Sequence, residues 1–143
     1  MPRFAKTILV DSGFWLALYD QRDAYHRQAI QRDDVLLRAN ILIPWPSLYE
    51  TFNTRFAKNM AAVKSFEALL RQPHVELLVD EPYRLDALDI AFSMSVTRSR
   101  PMSLVDAVIR LILEDVSVLK HGLLTFNAGD FTDLCGKHRI ELL

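Results

Sequence analysis

The sequence predicts an α/β fold in which a mainly parallel sheet of about five strands carries helices on both faces. Two observations carry this. Short apolar runs of strand length alternate with longer segments of helical period along the chain. Several of those runs end abruptly in an acid, a proline or a glycine-containing loop, as strands feeding crossover connections do. A third observation sets the scale. No repeat, low-complexity run or linker interrupts the 143 residues, so residues 1–143 are expected to form a single domain with a proper core.

Taken in order, Thr7-Ile-Leu-Val reads as a buried strand running into Asp11-Ser-Gly. A short helix is expected to begin around Phe14 and to run through Tyr19. A second is expected from Asp23 to Ala39, burying Ala24, Ile30, Leu36 and Leu37. Ile41-Leu-Ile is the next strand, ended by Pro44-Trp-Pro because proline cannot donate to a ladder. Ser47-Leu-Tyr-Glu50 matches a capping box and predicts a helix to about Ala57. A further helix covers Ala61 to Arg71, with Val63, Phe66, Leu69 and Leu70 inward, and Val75-Glu-Leu-Leu-Val is the third strand.

Asp80-Glu-Pro82 starts the following helix, whose stripe of Leu85, Leu88, Ala91, Phe92 and Val96 is expected to face the core. Thr97-Arg-Ser-Arg-Pro-Met breaks it. Ser103-Leu-Val-Asp106 then opens the most apolar helix of the chain. Gly122-Leu-Leu-Thr-Phe is read as the fourth strand, Asn127-Ala-Gly-Asp130-Phe as its exit loop, and Arg139-Ile-Glu-Leu-Leu as a final strand.

Composition narrows the function classes. Seventeen basic residues stand against eighteen acidic ones, so any nucleic-acid contact must come from a local patch. The one cysteine, Cys135, cannot form an internal disulfide, and no Cys or His group has zinc spacing. No apolar stretch approaches the roughly 20 residues of a membrane span. With no apolar signal core behind the early basic residues, a cytoplasmic location is expected. Glycine-rich phosphate loops are absent, which excludes dinucleotide and P-loop sites. A haloacid-type phosphatase would need an acid where Gly13 stands, and a receiver domain would need a lysine after a late strand, whereas Lys120 precedes one.

In a parallel sheet the carboxyl ends of the strands share one edge, so residues just after strands meet however distant they are in sequence. Asp11, Glu50 and either Asn127 or Asp130 hold such positions. Asp106 instead opens the buried helix. Each acid also has an ordinary explanation: turn chemistry for Asp11, the capping box for Glu50, and the helix dipole with Ser103 as cap for Asp106. Together they repel, and carboxylates crowded at one edge are tolerated mainly around a divalent cation. Oxygen-only donors point to magnesium or manganese. Such an ion can polarise a phosphodiester and activate water, which is the chemistry of a nuclease.

The order Ile-Leu-Val-Asp11-Ser, Glu50 at a helix start, Ser103-x-x-Asp106-Ala, and Thr125-x-Asn127-x-x-Asp130-Phe131 resembles the PIN domain family, over nearly the whole chain. Length and layout resemble the VapC-type toxins of toxin–antitoxin pairs. The resemblance implies a three-layer α/β/α sandwich, usually dimeric, acting as a Mg2+- or Mn2+-dependent endoribonuclease. Asp11, Glu50 and Asp106 would hold the metal, Asp106 and Glu50 also placing the water, with Ser12 in support. Ser103 and Thr125 belong to the same motifs. The fourth position departs from the fullest acidic set: Asn127 stands there and Asp130 lies one loop step further, so the two are expected to share that role. A small antitoxin would bind over or beside the acidic edge.

Arg98 and Arg100 are candidates to hold RNA phosphates. Phe14, Trp15 and Trp45 are possible stacking surfaces for unpaired bases, with core packing or a dimer seam the favoured account. None of His26, His74, His121 and His138 is assigned a catalytic role. The competing reading is a PIN-like module with weak catalysis that works by binding RNA or protein.

Overall fold

A computed structural model of the protein describes residues 4–97 and 101–143. Its strands are β1 (Thr7–Val10), β2 (Asn40–Pro44), β3 (Val75–Leu78), β4 (Gly122–Leu124) and β5 (Glu141–Leu142). Every pairing is parallel and the order across the sheet is β3-β2-β1-β4-β5. The chain therefore builds outward from β1 in one direction, then returns to β1 and builds the other way. That reversal puts a crevice at the carboxyl ends of β1 and β4, where such sheets hold ligands.

Two layers of helix follow from the same reversal. On one side lie α1 (Ser12–Tyr19), α2 (His26–Gln31), α3 (Val35–Arg38), α4 (Trp45–Phe52) and α5 (Met60–Leu70). They bury Ile8, Val10, Ile41 and Ile43 of the sheet under Phe14, Trp15 and Phe66. On the other lie α6 (Arg84–Thr97), α7 (Leu104–Glu114) and α8 (Thr132–His138), packed on Leu9, Leu42 and Leu123. Alternate residues of β1 thus feed opposite cores, which is why the strand is a continuous apolar run. The Trp15 and Phe66 rings lie 5.0 Å apart at the centre of the first layer. Gly122 has a specific reason: a Cβ there would meet Ile8 Cδ1 at 2.8 Å and hinder β4 from lying beside β1.

Several expectations are corrected. Residues 23–39 form two short helices. Asp23 Oδ1 accepts from the Tyr25 amide at 2.8 Å, holding a turn, and Arg32-Asp-Asp interrupts the second half with further turns. Leu36 is buried, but Ala24, Ile30 and Leu37 are exposed, the buried residue of α2 being Ala29. The helix expected to reach Ala57 stops at Phe52, followed by a 3-10 turn at Arg55–Lys58. A 3-10 turn at Glu81–Tyr83 likewise precedes α6. The final strand is only Glu141–Leu142, because Arg139 adopts φ 55° as α8 ends.

The capping box at Ser47 is also absent. Helix α4 starts at Trp45 with Pro46 in its first turn, so Ser47 lies inside the helix, and its buried hydroxyl finds no partner among the described residues. Glu50 is thereby released from capping. The largest reversal concerns α6. It rests on the core through Ala87, Ile90 and Met94, whereas Leu85 (79%), Phe92 (64%) and Val96 (85%) point outward with Leu88, Ala91 being half-buried. Both stripes have helical spacing, and the one with smaller residues packs closest to α7.

Candidate active site

The end of β1 delivers Asp11 into the crevice. Its amide donates to the Leu124 carbonyl at 3.1 Å, extending the β1–β4 ladder by one residue, so the side chain is placed by the sheet itself. The carboxylate is buried, and each of its oxygens accepts a hydrogen bond. Asp11 Oδ1 accepts from the Ser12 amide at 2.7 Å, capping α1, while Oδ2 accepts from Thr125 Oγ1 at 3.0 Å. Thr125 in turn accepts from the Asn127 amide at 3.0 Å. One threonine thus fixes both the acid after β1 and the loop after β4.

Ser12 makes the second connection. Its hydroxyl donates to Glu50 Oε1 and lies 3.4 Å from Asp11 Oδ1. Glu50 is exposed on α4 and reaches back to this serine instead of to its own helix end. The loop after β4 then forms a 3-10 turn, Ala128–Asp130, in which Asn127 Nδ2 donates to Asp130 Oδ2.

Asp106 enters from α7, where Ser103 accepts from its amide at 3.1 Å as the cap. Its carboxyl is pushed up to about 6, first by burial and next by the charge of Asp11; a bond from Ser103 opposes this, and Asp130 and Glu50 push it further. Asp11 is raised too, by burial above all, with Glu50 adding and the Thr125 and Ser12 bonds opposing. Carboxylates from four separate stretches therefore feel one another's charge. Even so, among the described residues no three Asp, Glu, His or Cys side chains close to the spacing that grips a metal ion.

Hydrogen bonds join Asp11, Ser12, Glu50, Thr125, Asn127 and Asp130, and Asp106, capped by Ser103, is coupled to them by charge. Arg98 and Arg100 lie outside the described residues. Phe14 and Trp15 are wholly buried and belong to the core; Trp45 reaches the surface, beside the more exposed Tyr49. The histidines serve the frame where their bonds are seen: His26 and His74 meet the Ala17 and Leu36 carbonyls, and His121 Nδ1 accepts from the Thr7 amide. Sequence reasoning missed Arg110, which bonds the Asp130 carbonyl at 2.6 Å. Its place four residues after Asp106, on the same helix face, was the available signal.

No family model matches the sequence, and no curated protein matches it either. A solved structure does. The chain is similar to the Mycobacterium tuberculosis toxin VapC20, a sarcin–ricin loop cleaving toxin. The TM-score is 0.64 and the identity 19%, over 88% of this chain and 94% of that one. None of the described helices is long and apolar enough to cross a membrane. At this identity the likeness establishes architecture, and the chain has the three-layer α/β/α PIN-type fold of that VapC toxin.

Proposed function

We propose that this protein is a Mg2+- or Mn2+-dependent endoribonuclease, the toxin of a toxin–antitoxin pair. The observation that carries it is the gathering of acids at one end of the sheet, where Ser12 ties Glu50 to Asp11, Thr125 ties Asp11 to the Asn127 loop, and the charges of Asp11, Asp130 and Glu50 raise the half-buried Asp106 carboxyl. Mutual repulsion of this kind is relieved by a hard cation, and the donors are all oxygen. The chemistry of the donors, though not their present spacing, suits magnesium or manganese, with Asp11, Glu50, Asp106 and the Asn127–Asp130 pair as the residues that would hold it. Bound there, the ion would polarise a backbone phosphate and lower the pKa of a water.

The chain's own residues do the rest. Thr125 and the Ser12 amide hold the Asp11 oxygens in fixed directions. The Ser12 hydroxyl holds Glu50 beside them. Asp106, half-buried, and Glu50 orient the attacking water, and Asp106 can take up its proton. Attack at phosphorus then forms a P–O bond to the water oxygen and breaks one P–O bond of the RNA backbone, the departing ribose oxygen taking a proton from solvent. The outward apolar stripe of α6 supports a protein partner, a second copy or a small antitoxin.

The test is cleavage of a sarcin–ricin-loop hairpin and of ribosomal RNA by the purified chain. Cleavage is expected with Mn2+ and is expected to vanish in chelator and in Asp11→Asn. Unchanged cleavage in excess chelator sinks the proposal. The open spacing of the carboxylates and Asn127 at the fourth position favour one second reading, a PIN-like module that binds RNA or protein with little catalysis. Calorimetry separates the two: RNA bound with no Mn2+ uptake at millimolar concentrations selects the module.

A further inference from the structure

Arg110 lies outside the acid set but grips the loop that carries two of its members. It stands one helical turn after Asp106 on α7, so both side chains leave the same face of that helix. Its side chain is 15% exposed. Nη1 donates to the Asp130 carbonyl at 2.6 Å and to Asp133 Oδ1 at 3.0 Å, and Nη2 donates to Asp133 Oδ2 at 2.7 Å. The two-point grip on Asp133, in the first turn of α8, fixes the guanidinium plane. The remaining contact then fixes the peptide of Asp130.

The held segment is short, with local bonds from Asn127 Nδ2 to Asp130 Oδ2 and from Thr132 Oγ1 to the Ala128 carbonyl, the latter at 2.7 Å. Ala128–Asp130 is a single 3-10 turn, closed by the Phe131 amide on the Ala128 carbonyl at 2.9 Å and by the Asp130 amide on the Asn127 carbonyl at 3.2 Å. Isolated turns of this kind are marginal. At one end Thr125 ties it to Asp11, and at the other Arg110 ties it to the Asp106 helix.

We propose that Arg110 is a positioning residue for the acidic site, fixing the Asn127–Asp130 turn against α7 and so setting where the fourth acid stands relative to Asp106 and Asp11. The holding of the turn stands on geometry alone; its consequence for cleavage rests on the metal-nuclease reading. A lysine would keep the charge but lose the fork, so charge and positioning can be separated.

The experiment uses the full chain with Arg110→Gln, Arg110→Lys and Asp133→Asn. Hydrogen exchange of the residue 127–131 amides is followed beside that of Asp11 and α7, and Mn2+ binding is titrated on the same samples. In Arg110→Gln, exchange of the turn is expected to rise about tenfold or more while α7 and Asp11 keep their protection. Mn2+ affinity is expected to fall about tenfold or more. Arg110→Lys is expected to recover part of both, and Asp133→Asn to loosen the turn less. Turn exchange equal to that of the wild type overturns the proposal, as does equal loosening of the whole chain, which would make Arg110 a general structural residue. If the wild type takes up no Mn2+ but the turn loosens selectively, the positioning role stands and the nuclease reading falls.

Discussion

The candidate site has an inner half and an outer half, and they are built differently. Asp11 and Thr125 are buried at the ends of neighbouring strands, joined at 3.0 Å, with Asp11 placed by a ladder bond. Glu50 and Asn127 are exposed and come from a helix and a loop, while Asp106 and Asp130 are half-buried. The sheet therefore fixes one side of the crevice, and short-range bonds hold the other against it. In a PIN-type nuclease the inner half would set the metal position and the outer half would close around it.

Substitutions break this comparison from either side. The largest effect is expected from Asp11→Asn. It should lower metal-dependent cleavage about 10³-fold or more, with the circular dichroism spectrum unchanged, because asparagine keeps the size of the side chain and an oxygen to accept the Ser12 amide. Glu50→Gln keeps the bond from Ser12 but removes one outer charge, and is expected to cost about 10²-fold in kcat with no loss of thermal stability. If the outer substitution proves the more damaging, the assignment of halves is reversed.

Thr125→Ala tests the inner half by stability. It removes a bond to Asp11 and one from the Asn127 amide, and is expected to cost about 2 kcal/mol, a fall of about 6 °C in Tm. A Tm within one degree of wild type, about 0.3 kcal/mol by the same scale, would show that the strand ladder alone holds Asp11.

The pH dependence tests the outer half. The folded-state pKa of Asp106, about 6, lies above its ordinary value of 3.8, so the folded chain binds that proton more tightly than the unfolded chain. Stability from this group grows as pH falls through 6 toward 4 and is lost as pH rises above 6. Asp133, drawn down to about 2 by Arg110, works in the opposite sense but only below about pH 4. Between pH 8 and pH 5 the metal-free protein is therefore expected to gain about 1 kcal/mol from Asp106 after allowing for its exposure, or about 3 °C. Asp106→Asn should reduce the slope by that amount, leaving the part that belongs to Asp11, whose carboxyl is raised as well, as followed by calorimetric melting. The smallest expected change is in Asn127→Asp, which adds a carboxylate to the outer half and should tighten Mn2+ binding by about threefold, read by titration.

The strands were legible because parallel-sheet strands covered on both faces must be apolar along their buried length, as Ile8, Leu9 and Val10 and Ile41, Leu42 and Ile43 are. Helix detail was harder where two faces competed. On α6 the Leu85–Phe92 stripe outweighs Ala87, Ile90 and Met94 in size, yet the smaller residues face the core. Helix α8 left no trace in advance, since its seven residues bury only Leu134 and Cys135. In the site, residues following strands were readable by position alone, but Glu50 had two accounts. What decided between them was a proline two positions into α4, which moved the helix start ahead of Ser47. Arg110 was readable only as a neighbour of Asp106 on one helix face; what it holds was not, because its partners lie 20 and 23 residues away in the chain.

The bond between Asp11 and Thr125 joins residues 114 positions apart, and this separation orders events during synthesis. A ribosome releases the Asp11 side of the crevice long before the Thr125 side exists. Until β4 slots in next to β1, a growing copy carries Asp11 without its Thr125 bond, so the crevice is completed only when nearly the whole chain has emerged.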